Sequence, residues 1–274
     1  MNIVKNKNDS LFSLLSFSGK IFFCFVLFIT IFTFVIDIQS SYYVKKLNFL
    51  QIIRSLMFFF TKQTIFFILI VLLLFLFNIK NKKLYYYIFF MSIVDALIIG
   101  VVYNTILSAL WTTKSDIYKF SIFFQKNNFD FSQNFLYQIY ESHVISIFQH
   151  LLVPFFYFLF FLFFVPLEFK INKKIFYTFF HCLGYLFFWF LCLFIVEGCH
   201  NISSSDDCWL PYFTIQCPIH GELFGKQIFG FSHELAVLIR IFFLTILFTF
   251  IFAMVFSLKN NLNKKFLFRK KNVI

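Results

Sequence analysis

The sequence predicts an all-α, polytopic membrane protein with six transmembrane helices and both termini in the cytoplasm. Three observations lead there. Hydrophobic residues make up 61% of the 274 and charged residues only 13%, against about 25% charged in a soluble domain. The apolar residues gather into charge-poor runs of the length that crosses a bilayer, about 20 residues. Those runs are continuous rather than alternating, which favours helices over the short two-faced strands of a membrane barrel.

Six runs fall at about 18–37, 60–79, 86–111, 145–167, 175–197 and 236–257. The first lacks a small-residue cleavage site and is followed by further spans, so it reads as an anchor and not as a removable signal peptide. The bias toward Phe, Ile, Lys and Asn fits an AT-rich coding sequence, so single Phe residues carry little functional information. The connecting loops are each under 40 residues, too short for a core of their own, and no repeat is visible. A single integral membrane domain over 1–274 is expected.

Flanking charge sets the orientation, because Lys and Arg accumulate on the cytoplasmic side. With the N-terminus inside, residues 1–20, "IKNKK" at 79–83, "EFKINKK" at 168–174 and the tail from Lys259 hold 15 basic residues against Asp9 and Glu168. The net charge of +12 is then mostly topogenic. It gives no reason to expect nucleic acid as a partner, although the basic tail suits anionic headgroups. Loops 38–59, 112–144 and 198–235 fall on the far side, lumen or exterior.

Cysteines follow the same partition. Cys24, Cys182 and Cys192 lie in spans, whereas Cys199, Cys208 and Cys217 share the last far-side loop. An oxidising compartment permits one disulfide among these three, of undecided pairing. Asn201-Ile202-Ser203 is a sequon on that side, too near the membrane for ready use. With His200 and His220 the three cysteines match no compact zinc spacing; neither a metal nor any other cofactor is expected.

The strongest chemical constellation is a pair of histidines. His143, in "YESHVISIF", opens the fourth span, and His200, in "IVEGCHNISSSDDC", follows the fifth. The topology brings both to the far face at the ends of consecutive helices. Two readings of the pair stand: ordinary interfacial histidines, or a site in which one imidazole attacks phosphorus while the other protonates the leaving oxygen. Such a site needs cations for the phosphate oxygens, and Lys45, Lys46, Arg54 and Lys226 are the far-side candidates. His150, seven residues past His143, lies on the same helix face and deeper. His181 reads as structural, and His220 and His233 sit in less constrained loops. Asp95 interrupts an uncharged run, which marks a functional candidate by default. Its place near the cytoplasmic flank, away from the histidine pair, suggests helix packing or a protonated carboxyl.

These residues and this topology resemble the fat-storage-inducing transmembrane (FIT) family. "KKLNFLQ" at 45–51, with Asn48 and Leu50, is similar to the stretch that follows that family's first span. "FLCLFIVEGCHNIS" at 190–203 is similar to the end of its fifth, and "YESHVISIF" occupies the place of its other histidine. Two features depart: Ser142 precedes His143 with no intervening glycine, and no Glu-Lys pair follows His200. The resemblance implies a multi-pass endoplasmic-reticulum enzyme that cleaves the diphosphate of fatty acyl-CoA and supports lipid-droplet formation. His200 would be its nucleophile, His143 its general acid, and Asn48 part of the substrate site. A non-enzymatic reading stands beside it: a transporter or an assembly subunit of a membrane complex, using Asp95, His150, His181 and Arg240 as its polar path.

Overall fold

The computed structural model describes residues 11–77, 82–101, 144–165, 180–195 and 233–271, and among them every regular element is helical. A 3-10 turn, Phe12–Leu14, leads into α1, Phe17–Tyr43. Ser16 caps α1, its hydroxyl accepting from the Gly19 N–H. This satisfies one of the orphan donors of a helix start. Then come α2, Phe49–Phe58, α3, Phe60–Leu76, and α4, Lys82–Val101. After residue 143 follow α5, Val144–Ile147, a π-turn, Phe148–Leu152, and α6, Val153–Phe163. The last two are α7, Phe180–Ile195, and α8, His233–Lys271.

Among the described residues, four helical stretches are long and apolar enough to cross a membrane: Phe17–Tyr43, Leu84–Val101, Val144–Phe163 and Thr245–Asn263. A fifth arises if Phe49–Met57 and Phe60–Leu76, bent by 92°, are counted as one span. The described part of each run expected from hydropathy is helical, but four or five of the six expected spans meet the length and composition of a crossing, and α7, Phe180–Ile195, does not. Other differences lie at the edges. α1 runs six residues past Asp37, the last part of the 38–59 loop is the helix α2, and α8 carries the basic tail as helix through Lys271.

The chain gathers into two compact units, one of Met1–Thr178 with Phe256–Ile274 and one of Phe179–Val255. In the first, α1, α3, α4 and the α5–α6 segment pack in a ring, each against its two neighbours. The helices alternate in direction. Phe23, early in α1, stacks on Phe75, late in α3, at 5.4 Å, and the Tyr85 hydroxyl of α4 donates to Val71 O of α3. Tyr157 of α6 meets Ser92 of α4 at 2.6 Å. At the other end of the bundle Ile36 of α1 packs against Val144.

The end near residues 77–82 is built from aromatic rings. Phe23, Phe75, Phe89, Phe160 and Phe161 are fully buried, and Phe75 touches Phe160 edge-on at 5.7 Å. Offset and edge-to-face pairs of this kind add to what ring burial alone supplies. The last part of α8 docks here. Lys259 Nζ donates to Phe161 O and Leu162 O, both at 2.8 Å, and lies 5.2 Å from the Phe161 ring. The ammonium thereby ties off carbonyls in the last turn of α6, where the helix dipole is negative.

The interruption between α5 and α6 has a local cause. Pro154 has no N–H to return to His150 O, and the ladder widens so that the Val153 N–H bonds Phe148 O; a π-turn absorbs the misfit. α4 passes close by at Gly100, where a Cβ would lie 3.8 Å from His150 O.

In the second unit α7 buries Cys182 and Tyr185 and exposes Phe180, Phe187 and Phe188. The part of α8 in that unit exposes Phe242, Phe243, Ile246 and Phe250, and Thr249 returns its hydroxyl to Thr245 O.

Candidate functional site

α1 inverts the pattern of a water-soluble helix. Its outer side shows Phe17, Ile21, Phe28, Ile31 and Val35, while its buried stripe contains Thr30, Thr33, Asp37, Ser40 and Ser41. Apolar outside and polar inside is the arrangement that a hydrocarbon solvent selects. Thr30 and Thr33 satisfy their hydroxyls on Val26 O and Ile29 O, one turn back, at 2.7 Å each. Those two need no tertiary partner. Asp37 does, and it finds one across the helix pair.

The Lys62 ammonium, in the first turn of α3, stands 3.0 Å from a carboxylate oxygen of Asp37, with each side chain only 11% exposed. Thr61 and Thr64 of α3 and Ser40 and Ser41 of α1 are buried at the same end of the bundle. Ser40 lies one turn beyond Asp37 on the same stripe. The hydroxyls of Ser40 and Thr64 have no hydrogen-bond partner among the described residues. One end of the four-helix ring is therefore aromatic, and the other holds an ion pair and four buried hydroxyl residues. Such a polar end can receive the charged or hydrogen-bonding part of a ligand whose tail lies in lipid.

The chain directly above this end is tightly organised. At the close of α1 the N–H groups of Val44 and Lys45 both reach Ser40 O, and Leu47 N–H returns to Ser41 O. Lys46 adopts a left-handed conformation, φ 55°, to turn the chain. Asn48 then starts α2 with a reciprocal capping box: its side chain accepts from the Gln51 N–H at 2.9 Å, and its own N–H donates to Gln51 Oε1 at 2.8 Å. This is the S/T/N-x-x-E/Q logic of helix starts.

The sequence-based candidates divide accordingly. Lys45 and Lys46 are exposed at the polar end. Asn48, expected in a substrate site, holds the start of α2 with its side chain, and Arg54 lies within that helix. His143, His200, His220, Lys226, Cys199, Cys208 and Cys217 lie outside the described residues. Val144, the residue after His143, packs on Ile36, next to Asp37. His150 falls in the π-turn, His181 in α7, and His233 and Arg240 in α8. Among the described residues no group of three His, Cys, Asp or Glu side chains could hold a metal.

Asp95 lies in α4. α4 begins at Lys82, so Asp95 is thirteen residues, about 20 Å of helix rise, from that start. It lies between Ser92, level with Tyr157, and Gly100, level with the π-turn. It is fully buried. Sequence reasoning passed over the Asp37–Lys62 pair altogether. Asp37 closes the first expected span and Lys62 falls within the second, 60–79, and neither is singled out by the sequence. The available signal was a carboxylate at the end of one apolar run and a cation at the start of the next.

Comparison with protein-family models, with curated proteins and with solved structures returned no match.

Proposed function

We propose that the protein is a six-span enzyme of the endoplasmic-reticulum membrane, both termini cytoplasmic, that hydrolyses a phosphoanhydride on a lipid-linked substrate, fatty acyl-CoA by the FIT resemblance. The observation that carries this reading is the polarity of the four-helix ring. The exposed Lys45 and Lys46 and four buried hydroxyl residues gather, beside the neutral Asp37–Lys62 pair, at the one end where the segment after His143 begins. Cations and hydroxyls at the bilayer surface suit a phosphorylated headgroup, whose oxygens need compensation as charge develops. The acyl chain would lie along the Phe-rich outer surface.

In this scheme a His200 ring nitrogen attacks phosphorus, forming a P–N bond as the anhydride P–O bond breaks, and His143 protonates the departing phosphate oxygen. Water then hydrolyses the phosphohistidine. The products are acyl-phosphopantetheine and adenosine bisphosphate. The test is cleavage of acyl-CoA by purified protein carrying His143→Ala or His200→Ala. Each should lose at least about 100-fold in turnover, as for removal of a general acid or nucleophile. Undiminished turnover in both ends the proposal.

The Asp37–Lys62 pair favours one second reading, a transporter or membrane-complex subunit without catalytic activity, since charges inside spans mark ion and substrate paths. Loss of function in Asp37→Asn or Asp95→Asn, with both histidines dispensable, would select it.

A further inference from the structure

We propose that α2 is a surface anchor lying in the headgroup layer of the bilayer, with its Phe49–Leu50–Ile53–Met57 face at the acyl-chain boundary and Lys45 and Lys46 beside it on anionic lipid headgroups. This goes beyond the enzymatic reading and holds whatever reaction the protein performs.

Four observations converge. α2 has ten residues, about 15 Å of helix, which is half of the hydrocarbon thickness, and it meets α3 at 92°. With α3 along the membrane normal, α2 lies in the membrane plane. Its most exposed apolar side chains share one direction. Phe49, Leu50, Ile53 and Met57 are 72%, 74%, 40% and 68% exposed, whereas Ile52 is buried. At 100° per residue these four occupy one arc about 100° wide, while the helix packs on α1 and α3 elsewhere. An apolar arc turned outward from a membrane bundle is covered by the bilayer that already covers the outer side of α1.

The level is marked independently. Tyr42 and Tyr43, exposed in the last turn of α1, stand immediately before the α2 turn, and tyrosines collect at the headgroup level. The capping box closes the N-terminal backbone of α2 on itself, as a helix in a water-poor layer requires. Exposed Lys45 and Lys46 supply the charge that attracts anionic headgroups to an amphipathic helix.

The test uses the full chain in liposomes, with Trp111, Trp189 and Trp209 replaced by Phe and a single probe introduced as Met57→Trp or Phe49→Trp. Quenching by lipids labelled at shallow and deep acyl positions reports depth. Shallow quenching at both positions, within about 5–10 Å of the headgroup boundary, is expected. Stronger quenching by the deep label would mean a re-entrant segment, and no lipid quenching would mean that water or a second copy covers the face; either overturns the proposal. For the lysines, adding phosphatidylserine to phosphatidylcholine vesicles should raise the thermal midpoint of the wild type. The Lys45→Gln/Lys46→Gln variant should lose that rise. An equal rise in both proteins would exclude the anionic-lipid contact.

Discussion

Replacing Lys62 with Met leaves the Asp37 carboxylate buried without its counter-charge, and replacing Asp37 with Leu does the reverse to Lys62. The attraction at 3.0 Å is about 5.5 kcal/mol at an effective dielectric of about 20. It is offset by the desolvation of both ions, so the pair as a whole contributes little. Removing one partner is different, because the desolvation cost of the other remains; such losses run to about 3–5 kcal/mol. Each side chain keeps 11% of its exposure, so water screens part of the charge and the lower value is expected. Against a total stability of about 5–15 kcal/mol, that is a large fraction. The double variant Asp37→Leu/Lys62→Met should recover to near wild-type stability, giving a coupling of at least about 3 kcal/mol. The measurement is unfolding of the purified protein in mixed micelles, followed by circular dichroism, for all four members of the cycle. If both single variants match the wild type, or if the double variant loses the sum of the two, the pair is not the buried contact described. A double variant that folds normally but lacks function would assign the pair to the working site.

Three further expectations concern packing. Lys259→Met removes both donors from Phe161 O and Leu162 O and strands them at about 1–3 kcal/mol each. Relief of a buried ammonium offsets part, so a net loss of about 2 kcal/mol is expected, with Lys259→Arg close to wild type; an unchanged unfolding midpoint in the Met variant would count against the cap. Gly100→Ala places a Cβ at ordinary contact distance, 3.8 Å, from His150 O and Pro154 Cβ, and should be neutral or up to about 1 kcal/mol more stable by helix propensity. Gly19 is tighter, its Cβ position 3.2 Å from Phe164 Cδ1 and Ser16 Oγ, so Gly19→Leu should cost about 1–3 kcal/mol by overpacking. Thermal unfolding that ranks these two glycines the other way would show that the α1–α6 approach is looser than this.

Helix α2 shows what a closer reading of the chain could have found. Asn48 and Gln51 at capping-box spacing, followed by apolar residues at 49, 50, 53 and 57, carry a short amphipathic helix within residues 38–59. Its brevity hid it among loop signals. The end of α1 was less accessible. A charged residue ordinarily closes a span, and nothing local reveals that Asp37 continues the helix, because its neutralising partner lies 25 residues away in another element. The histidine pair remains a property of the topology read from the sequence, with Val144 on Ile36 as the nearest packed landmark.

Composition and the length of the apolar runs were enough to predict an all-helical chain with several helices apolar enough to cross a membrane, because hydrocarbon imposes the same demand on every residue of a span and backbone satisfaction within a helix is local. Which polar residues share one end of the bundle depended on tertiary structure. Phe23 against Phe75, Tyr157 against Ser92 and Lys62 against Asp37 are choices of partner between helices, set by mutual packing and by the high cost of a solitary buried charge. No single stretch of chain carries that information.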